Sequence, residues 1–462
     1  MTNVNQTTST LKKNTLFAIT WPIFIEVSLQ MLMRFSDVFM LSFVSDDAVA
    51  AIGVVNQIMG FTFVLFNFTA MGSGVVVSQY VGAKKPKEIS DTVIHAIVIN
   101  LLFGIFISSL IIMFRYQFLD LFNLSSSLVA FADIYMIVVG GTLFTQAMVL
   151  TINSILQAKG FTQTVMYVAI GMNLLNILGN YLFIFGVFGV PQLGVTGVAI
   201  STAVCRAAAM VVLFMLLYRS LDVKIKWQDM FRLNTYFTKK IMKIGVPAAG
   251  EHLSYNTSQI IITVFITMLG ATALATRVYT QNLILLITVF SMSISKGTQI
   301  YIGQLVGAGK IEEAYHQLFR SLKFALSLAI VTACLFALLG KPLFNLFTTD
   351  TDIIYIGSIL LLIGIILEPG RTFNHITMSG LRASGDATFP MMMGIVSMWG
   401  ISVPLSYLFG ITLGYGLIGM WFAFVIDEWV RGIVMLFRWK SRKWEGMAVV
   451  ERNNKQKEVR EM

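Results

Sequence analysis

The sequence predicts an all-α integral membrane protein whose twelve transmembrane helices form two six-helix lobes related by a parallel internal repeat. Three observations predict this fold class. The 462 residues are 56% hydrophobic and only 12% charged, whereas a soluble domain is about 25% charged. Apolar segments recur along almost the whole chain, and a helix needs about 20 apolar residues to cross a bilayer. Segments in the first half of the chain also match segments in the second half at one constant offset.

The apolar segments are the candidate membrane spans. They lie at residues 16–44, 50–79, 92–114, 128–157, 163–186, 193–218, 240–269, 274–306, 317–339, 352–381, 388–409 and 413–438. Several exceed the required length, so we expect tilt or extension beyond the membrane. The spans and the polar segments between them define an N-terminal lobe at 1–218, an inter-lobe linker at 219–239, a C-terminal lobe at 240–440 and a polar tail at 441–462.

The positions of lysine and arginine predict the orientation in the membrane. Basic residues concentrate at both termini and in alternate loops, such as the segment 219–240, whereas the loops at 187–192 and 409–415 contain no charge. Because cytoplasmic loops carry the excess of Lys and Arg, both termini are predicted to be cytoplasmic. The net charge of +10 then predicts contact with anionic lipid rather than nucleic acid.

The internal repeat rests on three matches at one offset, which is 225 in the numbering (304 − 79 = 225). The matched pairs are Gln79–Lys85 with Gln304–Lys310, Leu156–Gly160 with Leu381–Gly385, and Pro22 and Glu26 with Pro247 and Glu251. The offset spans an even number of helices, so both halves enter the membrane in the same direction. Transporters place substrate sites between such repeats and rock one repeat against the other. The repeat therefore predicts a transporter that works by alternating access.

No motif in the sequence predicts an enzyme. The segment Gly307-Ala-Gly-Lys310 lacks the upstream glycine of a phosphate loop, and Ile311 replaces the required Ser or Thr. Neither Cys205 nor Cys334 has a Cys or His at metal-ligand spacing. We therefore predict a protein without a cofactor, driven by an ion gradient or by a separate subunit.

Ionisable residues within the spans are the candidate functional groups, because each is expensive to place in hydrocarbon. Glu26 and Asp37 both lie in the first span, and their spacing places them on nearly the same helix face about three turns apart. Asp37 is a candidate cation site. The alternative is an ion pair between Asp37 and Arg34 at spacing i, i+3.

Polar residues in the fifth and sixth spans could complete such a site. Asn173, Asn176 and Asn180 stack on one face of the fifth span. Their amide oxygens could bind Na⁺ or position a protonated carboxyl, and the alternative is interhelical hydrogen bonding. Thr202 in the sixth span is a weaker candidate, because a membrane Thr usually bonds its own backbone. Arg206 could pair with an acid of the N-terminal lobe.

The second half of the chain carries its own ionisable residues. They are Glu251, His252 and Tyr255 in the seventh span, Glu368 and Arg371 in the tenth, and Asp427, Glu428 and Arg431 in the last. Glu368 and Arg371 stand at spacing i, i+3 and could neutralise each other. The group in the last span is interpreted as structural.

These residues and motifs resemble those of bacterial multidrug and toxic compound extrusion (MATE) exporters. The shared patterns are Pro22 with Phe35-Ser36-Asp37, Gln-x-x-Gly-Ala after the second span, Asn176-Ile-Leu-Gly-Asn180, and Gly194-Val-Thr-Gly197 before Thr202. The resemblance covers nearly the whole chain. It implies two six-helix lobes that form a V, with antiport of organic cations against Na⁺ or H⁺. It also implies a coupling site at Asp37, Asn176, Asn180 and Thr202, with Na⁺ as a candidate ion at the first three.

The sequence departs from the family pattern in its second half. Some members carry a Glu on the seventh helix eight residues after the Pro, where this chain has Tyr255, and their tenth-helix Asp falls near Arg371. A cation site in the C-terminal lobe therefore stays open. Glu251 and Glu368 lie on the same two helices and could substitute as its ligands.

We predict a monomeric secondary antiporter that exports lipophilic organic cations in exchange for Na⁺ or H⁺. Asp37 would alternate between a cation-bound or protonated state and a substrate-competent state. The first alternative is a lipid-linked oligosaccharide flippase of the same superfamily, which would need a strongly cationic cavity, whereas acids at least match arginines inside these spans. A membrane enzyme would need a catalytic motif, and a receptor or scaffold would not need the lobe repeat.

Overall fold

The computed structural model describes residues 16–122, 124–223 and 234–450, and every regular element in those ranges is helical. The α-helices are α1 Leu16–Ser42, α2 Asp46–Gly82, α3 Pro86–Met113, α4 Arg115–Asp120, α5 Ser126–Tyr135, α6 Leu143–Ala158, α7 Thr162–Phe185, α8 Gly194–Ser220, α9 Thr235–Thr267, α10 Ala271–Gly307, α11 Ile311–Leu338, α12 Gly340–Asn345, α13 Thr351–Ser384, α14 Thr388–Ser397, α15 Val403–Tyr407 and α16 Gly416–Lys440. Shorter π-helical segments are Met136–Gly140, Met398–Ser402 and Leu408–Thr412, and 3₁₀ turns are Val187–Gly189 and Lys443–Gly446.

Helices lie at all twelve of the predicted spans. Within the described ranges, nine helices are long and apolar enough to cross a membrane, and Ser126–Gly140 with Leu143–Ala158 forms a tenth candidate that is bent by 46°. The two remaining predicted spans are α9 and α16, which contain more polar and charged side chains. The predicted all-helical membrane fold is therefore confirmed.

Local sequence explains where several helices begin and end. The Ser45 side chain accepts a hydrogen bond from the backbone N–H of Ala48 at 3.0 Å and so caps α2. Asp350 caps α13 in the same way, with its carboxylate 2.9 Å from the N–H of Asp352. Pro86 begins α3, a position where its missing N–H costs no helical hydrogen bond.

The described chain divides into two compact units. Unit 1 contains Trp21–Val246, and unit 2 contains residues 16–20 together with the chain from Pro247 onward. The boundary lies inside α9, directly before a proline that cannot donate to the helical hydrogen-bond ladder. The predicted linker and tail fall partly outside the described residues, at 224–233 and 451–462.

Close backbone packing holds helices together in unit 1. A Cβ atom at Gly72 of α2 would collide with the carbonyl oxygen of Ile241 in α9, and one at Gly245 would collide with that of Phe68. Apolar side chains give little net drive to helix association in lipid, so small residues that permit close contact take on that role. The start of α9 is therefore seated on α2 within unit 1.

The sequence repeat is also a repeat of backbone conformation. Lys84 after α2 has φ 54°, and its match Gly309 after α10 has φ 74°. Gly160 after α6 has φ 95°, and its match Gly385 after α13 has φ 101°. Three of these four positions are glycine, the residue that adopts positive φ without a steric penalty.

Candidate functional site

Four residues predicted to form the coupling site are joined by hydrogen bonds in unit 1. Asn180 Nδ2 on α7 donates to Asp37 Oδ1 on α1 at 2.7 Å. The same nitrogen lies 3.4 Å from Asn176 Oδ1. Asn176 Nδ2 in turn donates to Thr202 Oγ1 on α8 at 3.2 Å. The structure thus brings together Asp37, Asn176, Asn180 and Thr202 from three helices.

The amide side chains of the site are fully buried, and one of their oxygens accepts no hydrogen bond. Asn176, Asn180 and Thr202 are each 0% exposed, whereas Asp37 is half-buried. Asn180 Oδ1 is buried and has no hydrogen-bond partner among the described residues. The Asp37 carboxylate therefore contacts an amide whose own oxygen is unused, and carboxylate and amide oxygens are both hard donors suited to a small cation or a proton.

The α7 asparagines do not all serve this group. Asn173 Nδ2 donates to the carbonyl of Ala169 on its own helix at 2.8 Å, so the structure does not bring it to Asp37. Asn176 is anchored further by Ser201, whose hydroxyl donates to the Asn176 carbonyl at 3.2 Å. A Cβ at Gly179 would collide with Ser201 Oγ. Close packing of α7 on α8 therefore fixes Asn176 next to Thr202.

Sequence reasoning missed or could not place three neighbours of Asp37. Tyr135 is buried and lies near Thr202 and Asp37. Cys205 and Arg206 on α8 also lie near enough to Asp37 to interact with it electrostatically. The spacing of Thr202 and Arg206 at i, i+4 was a signal for one shared face. The alternative pairing of Asp37 with Arg34 is untested, since the Arg34 side chain lies outside the described residues.

Glu26 belongs to a different hydrogen-bond group from Asp37. Gln157 Nε2 on α6 donates to Glu26 Oε2, and Asn153 Nδ2 donates to Glu26 Oε1 at 3.3 Å. Gln30 Nε2 lies 3.4 Å from the same Oε1. Glu26 is 2% exposed. The first helix therefore carries two carboxylates that are held by amides of different helices.

The candidate acids of unit 2 contact arginines. Arg382 Nη2 on α13 donates to Glu251 Oε2 on α9, and both side chains are buried. Tyr255, one turn later on α9, is 39% exposed and is not part of this pair. Glu251 therefore meets a fixed guanidinium at the position where a cation ligand was considered.

The remaining candidate acids of unit 2, which are Glu368, Asp427 and Glu428, form one charge cluster. Arg371 Nη1 lies 2.8 Å from Glu368 Oε1, as the i, i+3 spacing predicted, and Arg371 Nε lies 3.6 Å from Glu428 Oε1. Arg431 Nη2 lies 2.7 Å from Asp427 Oδ2 and 3.1 Å from Glu428 Oε1. Three carboxylates thus share two guanidiniums.

Two neutral side chains complete the cluster. Asn374 Nδ2 donates to Glu428 Oε2 at 2.8 Å, and Ser397 Oγ donates to Asp427 Oδ1 at 2.5 Å. Buried ion pairs need such additional hydrogen bonds to offset the cost of leaving water. Sequence spacing within one helix could find the Arg431 pairs, whereas the Ser397 and Asn374 contacts come from other helices.

Comparison with known proteins places the chain among transporters. A family model described as MatE matches residues 22–182 and 247–408, which together exceed half of the chain, and the two matches begin at positions related by the repeat offset. The uncharacterized transporter YisQ of Bacillus subtilis (strain 168) is 46% identical over 95% of this chain and 96% of its own length. A probable multidrug resistance protein NorM of Thermotoga maritima is 24% identical over 92% of this chain and 91% of its own length.

A solved structure supports the fold. It is described as the outward-facing conformation of a multidrug resistance MATE family transporter of the MOP superfamily. It matches with a TM-score of 0.85 at 19% identity and covers 95% of this chain and 98% of its own. The protein is therefore a multi-pass integral membrane protein that belongs to the MATE family of transporters.

Proposed function

We propose that the protein is a secondary antiporter that exports lipophilic organic cations in exchange for Na⁺ or H⁺, with Asp37 at the coupling site. The observation that carries this proposal is the Asp37 carboxylate beside Asn180, whose Oδ1 is an unused buried acceptor. The proposal also draws on the relatives that are described as probable multidrug resistance proteins. Both termini are proposed to be cytoplasmic, in a bacterial inner membrane, and the monomer is proposed as the functional form.

The site would couple ion entry to substrate release through charge. A half-buried carboxylate without a bound cation attracts a cationic substrate. When Na⁺ or H⁺ binds, the charge is neutralised, and the cost of burying the group falls. Asn180 can donate to the carboxylate in the first state and offer Oδ1 to the cation in the second, by rotation of its amide. The two cations then compete for one site, which is the basis of antiport.

Alternating access would carry this competition across the membrane. The site would open to one face of the membrane and then to the other as the lobes of the parallel repeat rock against each other. In this proposal the ion gradient, rather than a separate subunit, supplies the energy. Thr202 and Asn176 act as positioning residues because they hold the Asn180 side of the site through successive hydrogen bonds.

The test is transport of a fluorescent lipophilic cation into everted membrane vesicles under an imposed Na⁺ or H⁺ gradient. We compare the parent with Asp37→Asn and with Asp47→Asn, which makes the same chemical change at an exposed carboxylate at the start of α2. Gradient-driven uptake should be abolished in Asp37→Asn and retained in Asp47→Asn.

Either of two results would overturn the proposal. Full transport by Asp37→Asn would remove Asp37 from the coupling mechanism. An absence of gradient-driven movement in the parent, tested with several lipophilic cations, would favour the lipid-linked oligosaccharide flippase instead. The gradient that drives uptake in the parent identifies the coupling ion.

A further inference from the structure

We propose that Glu26, Asn153 and Gln157 form a second site in unit 1 that binds a monovalent cation, Na⁺ or H⁺, independently of Asp37. The three residues lie on two helices, α1 and α6. The proposal concerns binding, and it holds whether or not the protein exports drugs.

The group is built as a buried site. Glu26 is 2% exposed, Gln157 is 0% exposed and Asn153 is 8% exposed. Gln157 and Asn153 each donate one N–H to a different oxygen of the Glu26 carboxylate. Both of these contacts to Glu26 are hydrogen bonds from neutral amide groups.

The same amides hold unused acceptors. Asn153 Oδ1 and Gln157 Oε1 are both buried, and neither has a hydrogen-bond partner among the described residues. An unmade hydrogen bond on a buried oxygen is costly. Rotation of each terminal amide exchanges its N–H₂ for its oxygen with little torsional cost. The rotated group offers Na⁺ two amide oxygens and a carboxylate, or offers a protonated Glu26 an acceptor for its O–H.

The internal repeat supplies an independent argument for a cation at this position. Glu26 and Gln157 match Glu251 and Arg382 at the repeat offset. In both pairs the contacting residues are 131 apart in sequence. Unit 2 therefore places a permanent monovalent cation, the guanidinium, against the carboxylate at the equivalent position.

The two halves differ at both positions that hold the Glu26 carboxylate in unit 1. At the same offset, Asn153 matches Met378, so the half with the fixed guanidinium lacks both of the amides that hold Glu26. The half with two amides has Gln157 where the other has Arg382. We infer that an exchangeable cation in unit 1 takes the place of the covalently attached cation in unit 2.

The experiment measures binding to purified, detergent-solubilised protein rather than transport. The Asp37→Asn variant is the background, since it removes the carboxylate of the coupling site. Retention of ²²Na⁺ at alkaline pH reports a sodium site, and pH-dependent tryptophan fluorescence in sodium-free buffer reports a proton site. Size-exclusion elution and the thermal unfolding midpoint confirm that each variant is folded.

Three second substitutions are compared in that background. Glu26→Gln removes the charge with little change of shape, and Gln157→Arg supplies the fixed guanidinium found in unit 2. Glu313→Gln is the matched control, because that side chain is 58% exposed and lies on α11. We expect either one bound sodium ion or one pH transition to persist in Asp37→Asn and in its Glu313→Gln derivative, and to be lost with Glu26→Gln and with Gln157→Arg.

The outcomes separate the two ions and the two proposals. Loss of ²²Na⁺ retention identifies sodium, and loss of the pH transition alone identifies the proton. A response that survives both Glu26→Gln and Gln157→Arg overturns the proposal, as does the absence of any response in the Asp37→Asn background. Failure of dye transport in the parent would leave these binding results standing.

Discussion

The two units solve the problem of a buried carboxylate in different ways. In unit 1, amides contact the acids: Asn180 donates to Asp37, and Gln157 and Asn153 donate to Glu26. In unit 2, guanidiniums contact the acids, as in the pair of Glu251 with Arg382. An amide can turn from donor to acceptor, whereas a guanidinium offers only donors and keeps its charge. Contacts of the first kind permit exchange of a cation, and contacts of the second kind fix the charge in place.

The difference limits what repeat symmetry can teach about function. The Pro and Glu of α1 recur in α9 at the repeat offset, and each Glu is bound by the matched residue of its own unit. The backbone positions are equivalent, yet one partner is Gln157 and the other is Arg382. A role argued for an acid in one unit therefore does not carry over to its match in the other.

The largest expected effect comes from removing the fixed cation of unit 2. Arg382→Ala leaves Glu251 as a buried carboxylate without its ion-pair partner, and breaking such a pair costs about 3–5 kcal/mol. Gln157→Ala at the matched position removes a neutral hydrogen-bond donor, for which we expect about 1–3 kcal/mol. Free energies of unfolding in detergent are compared with that of the parent.

Equal losses for these two substitutions would break the comparison. That result would mean that the charge of Arg382 adds nothing beyond a hydrogen bond, and that the two carboxylates experience the same environment. Glu251→Gln combined with Arg382→Gln serves as a control, because it removes both charges and should recover much of the loss.

A double-mutant cycle sharpens the comparison within the charge cluster of unit 2. Arg371→Gln removes the guanidinium that contacts both Glu368 and Glu428. If Glu368 is held by that charge, adding Glu368→Gln should restore part of the lost stability, with a coupling free energy of about 0.5–3 kcal/mol. Additive losses would show that Glu368 does not depend on Arg371. Unfolding free energies of the parent, both single variants and the double variant give the answer.

The fold and part of the candidate site can be predicted from the sequence because their signals are local. Most of the predicted membrane helices are long apolar runs, and the repeat can be recognised from matched motifs in the two halves. The spacing of Asn176 and Asn180 places both on one helix face, and the family resemblance links that face to Asp37. Likewise, the pair of Glu368 with Arg371 follows from its i, i+3 spacing.

Contacts between distant helices cannot be predicted in this way. The partners of Glu26 lie 127 and 131 residues away, and nothing in α6 alone indicates that its amides face α1. Tyr135 adjoins Thr202 only because α5 packs near α8 in the folded unit. The charge of a residue does not predict its partner either, because Glu26 and Glu251 match in sequence but are bound by different residues. Packing, rather than helix periodicity, decides these pairings.

The smallest expected effect lies in the turn that both units share. Lys84 adopts φ 54° where its match Gly309 adopts φ 74°. A left-handed backbone conformation costs a non-glycine residue about 1–2 kcal/mol of stability. Glycine avoids this cost, but it loses about 0.5–1 kcal/mol because it gives up more conformational entropy on folding. Lys84→Gly should therefore raise the free energy of unfolding by up to about 1.5 kcal/mol, and Gly309→Lys should lower it by a similar amount. Thermal unfolding of the two variants measures both signs. If Lys84→Gly is destabilising instead, the lysine side chain contributes contacts in unit 1 that glycine does not provide in unit 2, and the equivalence of the two turns would be limited to the backbone.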